Sequence, residues 1–151
     1  MAVRLHQATG RSGWIDELAD LSLACLGTPP RQQEDRLRDF NDLLTFAPDV
    51  SLIDGVRPIA ADVFDTLLDA EAYETAALSM LDDAVYMISC GRGGYMVTVR
   101  LPASEEERTA TGDTLLLALL SALSQALLEA AQHGTDLAYF AEPELRPRQL
   151  H

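Results

Sequence analysis

The chain contains no lysine; all eleven of its basic residues are arginine. That excludes a phosphate-binding P-loop, which needs a lysine ammonium over the phosphates. Histidine is nearly as scarce. His6, His133 and His151 stand far apart, with no His-x-x-x-His, Cys-x-x-Cys or Glu-x-x-His spacing, so no zinc site and no other metal is expected. The two cysteines, Cys25 and Cys90, each lie in an apolar run. With no secretory leader at the start of the chain, they are expected as buried thiols in a reducing cytoplasm, not as a disulfide. No apolar run reaches the roughly 20 residues that span a bilayer. The most apolar, Leu115 to Leu128, is interrupted by Ser121, Ser124 and Gln125, so no membrane attachment is expected. Internal repeats and low-complexity tracts are lacking as well.

The chain has 151 residues, 48% of them hydrophobic and 23% charged. That length suits one domain over 1–151 and can bury a core without staples. Acidic residues outnumber basic ones, 24 to 11, for a net charge of −13. The excess is uneven. Between Glu34 and Asp83 thirteen acids meet only Arg36, Arg38 and Arg57, so that segment holds −10 of the total. Such a surface repels nucleic acid and anionic lipid and attracts a basic protein within a few Debye lengths.

Periodicity predicts the elements. Residues 1–11 read as an N-terminal arm. Ser12 caps a helix ending at Gly27, with Trp14, Leu18, Leu21 and Cys25 on one stripe. A second helix follows over 31–46, burying Leu37, Phe40, Leu43 and Leu44 and stopped by Pro48. A short strand is expected around Val50 to Ile53. From Pro58 to Asp83 the spacing predicts one kinked helix or two abutting ones, with a phase break near residues 69–72. The period then changes to two: Val85 to Cys90 and Tyr95 to Leu101 read as a hairpin. Pro102 to Gly112 reads as an exposed loop. A last helix runs from about Gly112 to His133, capped by Thr111 or Asp113 and closed by Gly134. Residues 135–151 form a C-terminal tail. The expected fold class is α+β: a small antiparallel sheet, made of the 85–101 hairpin plus at least one more strand, flanked by helices in an αβα-like sandwich.

Few constellations point to chemistry. The glycines from Gly91 to Gly94 are followed by a strand, whereas a dinucleotide- or phosphate-binding loop opens a helix; they read as a hairpin bend. Asp62, Asp65 and Asp69 lie within about 60° of one another on a helix, but acids on one exposed face do not enclose a cation. No serine or cysteine stands beside a base and an orienting acid. No enzymatic activity and no cofactor are expected. In the last helix Ala118, Ala122, Ala126 and Ala130 form a ladder. Leu117, Ser121, Ser124 and Leu128 flank it as a candidate homodimer or partner surface.

Three stretches carry a family resemblance. "RLHQATGRSGWIDELADLSLACLG", "YETAALSMLDDAVYMIS" and "GGYMVTVRL…TATGDTLLLALLSALSQALLEA" resemble the corresponding parts of the phage ABA-sandwich-domain proteins. Residues 28–70 depart from that pattern with a longer, acidic helical segment. The resemblance implies helices on both faces of a small sheet and a phage or prophage origin. It implies no activity. The leading expectation is thus an acidic phage accessory protein in the host cytoplasm. Glu34, Asp35, Asp39, Asp42, Asp62, Asp65 and Asp69 would engage a basic protein surface. That surface is a host defence complex, for instance of CRISPR type, or another nucleic-acid-binding complex, blocked by nucleic-acid mimicry; no direct binding of nucleic acid is expected. Two further readings stay open: a structural or assembly accessory of a phage particle acting through oligomerisation, and a small enzyme with an unrecognised carboxylate site.

Overall fold

The computed structural model describes the backbone of residues 10–149 and the side chains of residues 10–133. A helix that is apolar on every side needs cover on every side. From Leu116 to Ser124 every residue is buried, and helix α5 (Leu115–Gln149) runs through the middle of the fold. Three antiparallel strands, β1 (Val85–Gly91), β2 (Gly94–Arg100) and β3 (Arg108–Gly112), lie against one side of it in the order β1-β2-β3. Helices α1 (Gly10–Gly27) and α2 (Gln33–Thr45) pack on its other side. The class is α+β, as expected. The layering differs from the sandwich implied by the resemblance. Among the described residues the helices stack on one face of the sheet, and Val85, Met87 and Met96 on the other face are exposed.

Each helix follows from its apolar spacing. In α1 Trp14, Leu18, Leu21 and Cys25 face α5 and α2, and the Trp14 indole N–H donates to the Leu43 carbonyl at 2.8 Å. The helix starts at Gly10, so Gly10 and Arg11 are not part of an arm; residues 1–9 lie outside the described residues. In α2 Leu37, Phe40, Leu43 and Leu44 are buried. The expected strand at Val50–Ile53 is instead a 3-10 turn. Its buried residues, Leu52 and Ile53, are adjacent rather than alternating, and the Asp49 carboxylate accepts from the Ser51 N–H at 3.0 Å. That side-chain bond favours a turn over a strand.

Of the two alternatives for 58–83, two helices form: α3 (Ala61–Asp69) and α4 (Tyr73–Ser79). Between them Glu71 takes a left-handed conformation at φ 54°. The Glu71 N–H donates to the Leu68 carbonyl and the Ala72 N–H to the Leu67 carbonyl, the bond pair that closes a helix at a left-handed residue. The chain then enters β1 through a clasp. The Gly55 carbonyl accepts from the N–H groups of Asp82, Asp83 and Ala84 at 2.9, 3.1 and 3.1 Å. Gly55 sits at φ +100°, and a Cβ there would lie 2.5 Å from Pro102 Cδ, so only glycine fits.

The hairpin forms where expected, with Gly91 paired to Gly94. The segment expected as an exposed loop contributes β3, because β2 offers it a ladder from Tyr95↔Gly112 to Val99↔Arg108. Thr114, not Thr111 or Asp113, caps α5, accepting from the Leu117 N–H at 3.1 Å. The helix does not close at Gly134 but continues to Gln149. The window Leu115–His133, 19 residues at mean hydropathy 1.5, is long and apolar enough to cross a membrane by length and composition; 67% of it is buried within the fold.

Candidate functional site

The two acidic helices owe their exposed faces to the same periodicity that buries their leucines. On α2, Asp35, Asp39 and Asp42 follow the i, i+4, i+7 spacing opposite Leu37, Phe40 and Leu44. On α3, Asp62, Asp65 and Asp69 follow the i, i+3, i+7 spacing opposite Phe64 and Leu68. Asp35, Asp42, Asp62, Asp65 and Asp69 are exposed, and Glu34 and Asp39 are half-buried. The last two are answered within the chain. Glu34 forms an ion pair with Arg38 at 2.8 Å and accepts from the Tyr73 hydroxyl at 3.0 Å. The Arg38 hydrogen bonds, aided by Tyr73, hold its carboxyl below the ordinary value. Asp39 pairs with Arg36 at 3.2 Å. The other five have no ion-pair partner among the described residues.

A buried amide sets the geometry between the helices. Asn41, 6% exposed, reaches from α2 to the segment that leads into α3. Its Oδ1 accepts from the Ile59 N–H at 2.8 Å, and its Nδ2 donates to the Ile59 carbonyl at 3.2 Å. Beside this latch a cleft lies between α2 and α3. The cleft, about 630 Å3, is lined by Pro58, Ile59, Phe46 and Phe64 together with Asp42, Asp65 and Arg38. Apolar side chains flanked by carboxylates suit a group that is aliphatic along its length and positive at its end. Sequence reasoning found the carboxylates and missed the cleft, because nothing local pairs Asn41 with Ile59.

A second charged cluster was not expected. Arg108 at the start of β3 forms ion pairs with Glu106 and with Glu129 of α5. Partial burial raises the Glu129 carboxyl, but hydrogen bonding with Glu106 and Arg108 outweighs it and holds the group below its ordinary value. The open cleft beside it, lined by Glu106, Glu129 and His133 among others, has its acids bridged by an arginine. That arrangement ties β3 to α5 rather than poising a free carboxyl for proton transfer.

The expected surface on the last helix is not a surface. Leu117, Ser121 and Ser124 are 2%, 0% and 0% exposed, and Leu128 is half-buried. They are covered because α5 is enclosed by the sheet on one side and by helices on the other. The cysteines differ from each other. Cys25 is buried, and burial pushes its thiol up to about 12; Cys90 is exposed on β1 rather than buried, because β1 is a sheet edge. Among the described residues no group of three histidine, cysteine or acidic side chains is placed to hold a metal. No family model, curated protein or solved structure matches the chain.

Proposed function

We propose that this protein is a non-enzymatic interaction module whose α2–α3 face docks on a basic protein surface. One observation carries the reading: five outward carboxylates on two neighbouring helices, none neutralised within the described chain. Unpaired carboxylates keep most of their charge for a partner, whereas internally paired ones gain little from a second cation. Along each helix the acids recur about every 5 Å, from a rise of about 1.5 Å per residue. That spacing is of the same order as the charge spacing of a nucleic-acid strand. Asp35, Asp42, Asp62, Asp65 and Asp69 thus stand in for phosphates, Glu34 and Asp39 shape the rim with their arginines, and the cleft between Asp42 and Asp65 receives an arginine or lysine stem. The resemblance to phage ABA-sandwich-domain proteins supplies the setting: an accessory protein in the cytoplasm of a host, obstructing the nucleic-acid groove of a host complex such as a defence complex.

Affinity capture from a bacterial lysate tests this. The wild-type chain should retain basic, nucleic-acid-binding proteins that elute as salt rises toward about 0.5 M, where screening shortens to a few Å, and that added DNA displaces. A variant combining Asp35→Asn, Asp42→Asn, Asp62→Asn, Asp65→Asn and Asp69→Asn should lose them. Equal retention by the variant, or capture that ignores salt and DNA, refutes the reading.

A further inference from the structure

Natural sheet edges are blunted by charges, prolines, bulges or a covering element. Among the described residues strand β1 has none of these. It occupies the edge of the sheet, is exposed along all seven residues, and carries no charge or proline from Val85 to Gly91. Tyr86, Ile88 and Cys90 pair with Val99, Val97 and Tyr95 and so share the helix-side face with them. Yet Tyr86 is 45% and Ile88 36% exposed, while Val97 and Val99 are fully buried. The helical layer stops short of β1. On the open face Val85 and Met87 are 56% and 65% exposed.

The charges at the two ends of β1 indicate what covers it. Asp82 and Asp83 precede the strand, and Arg92 follows it in the turn. A strand laid antiparallel beside a copy of itself brings the acidic end of each against the basic end of the other. We propose that a second copy of this chain pairs with β1 antiparallel across a two-fold axis at Met87, which lies opposite its own copy, joining two three-stranded sheets into one continuous sheet. The axis places each Arg92 beside Asp82 and Asp83 of the other copy. It keeps both helical layers on the same side, so Tyr86 and Ile88 of both copies fill the groove between them. An isologous contact of this kind closes on itself and leaves no further edge of the β1 type. The overall −13 charge opposes association, but at physiological salt it is screened beyond about 8 Å, and the contacting strands are themselves neutral.

Sedimentation equilibrium in physiological salt tests the proposal. At about 50 μM, within the range of a micromolar dimer, the full chain should weigh twice 16.5 kDa. Met87→Lys sets two like charges on neighbouring strands and should weaken the dimer about tenfold or more. Arg92→Asp, on the exposed turn where folding is not at stake, should weaken it similarly. Combining Arg92→Asp with Asp82→Arg and Asp83→Arg should restore it, because the reversed ends still complement each other. Leu23→Lys, on the exposed outer side of α1, should change nothing. A wild-type monomer overturns the proposal. So does a dimer indifferent to Arg92→Asp, or one that the triple reversal fails to restore, since such a dimer uses another face or the edge serves a foreign strand.

Discussion

Asn41→Ala is the most informative single perturbation of the fold, because it cuts the latch that sets α3 against α2. The side chain makes two hydrogen bonds, at 2.8 and 3.2 Å, to one backbone unit, Ile59. Each is worth roughly 0.5–1.5 kcal/mol net, and a stranded buried backbone group costs about 1–3 kcal/mol more. Water from the adjoining cleft re-solvates part of what is stranded. The expected loss is therefore about 2–3 kcal/mol, or roughly 5–10 °C in Tm for a chain of this size. In urea the midpoint should fall by about 1 M at unchanged slope. Asp42→Ala, one residue along but exposed, is the control and should stay within about 0.5 kcal/mol. Asn41→Asp separates the two bonds. It keeps an acceptor for the Ile59 N–H and turns a carboxylate oxygen toward the Ile59 carbonyl. Its folded-state pKa is then raised, since only the protonated carboxyl donates there. Stability should be nearly normal below the unfolded aspartate pKa of about 3.9 and fall as pH rises past it. A loss for Asn41→Ala no larger than that of Asp42→Ala would refute the reasoning, and with it the view that the latch positions the two acidic helices.

Three further outcomes follow from single residues. Glu71→Gly should stabilise the protein by roughly 0.5–1 kcal/mol in chemical denaturation, because the left-handed backbone at φ 54° costs a side-chain-bearing residue about 1–2 kcal/mol and glycine little, less glycine's greater freedom when unfolded; a loss of stability would show that the Glu71 side chain has a role of its own. A thiol reagent near neutral pH should modify one cysteine per chain quickly, the exposed Cys90, and Cys25 only after unfolding, since its thiol is buried and pushed up to about 12; two fast thiols would contradict the packing of α1. Glu34 has its carboxyl held down by Arg38 and Tyr73, so its contribution is present above the unfolded glutamate pKa of about 4.3 and is lost as pH falls through the lower folded value. Glu34→Gln should thus flatten the acid limb of the stability–pH curve by less than about 1 kcal/mol, as for any exposed pair, and an unchanged limb would remove the ion pair from the account.

Local pattern was enough for the parts of this fold in which one face meets the core and the other meets water. The stripe of Trp14, Leu18, Leu21 and Cys25, the outward acids of α2 and α3, and the alternation of β2 are all written in periods of 3.6 or two, and the backbone obeys them because burial of a single face decides each element. Tertiary structure decided the rest, where a residue's surroundings come from distant chain. Leu117, Ser121 and Ser124 were legible only as a mixed stripe, and enclosure of α5 between the sheet and α1–α2 made them core. Residues 108–112 bury little but Ala110, so no local signal marks a strand there, and pairing with β2 made one. Asn41 finds Ile59 eighteen positions away, which no spacing announces. Cys90 sits in an apolar run that looks buried, but β1 is the last strand, and a strand is covered only by what lies beside it.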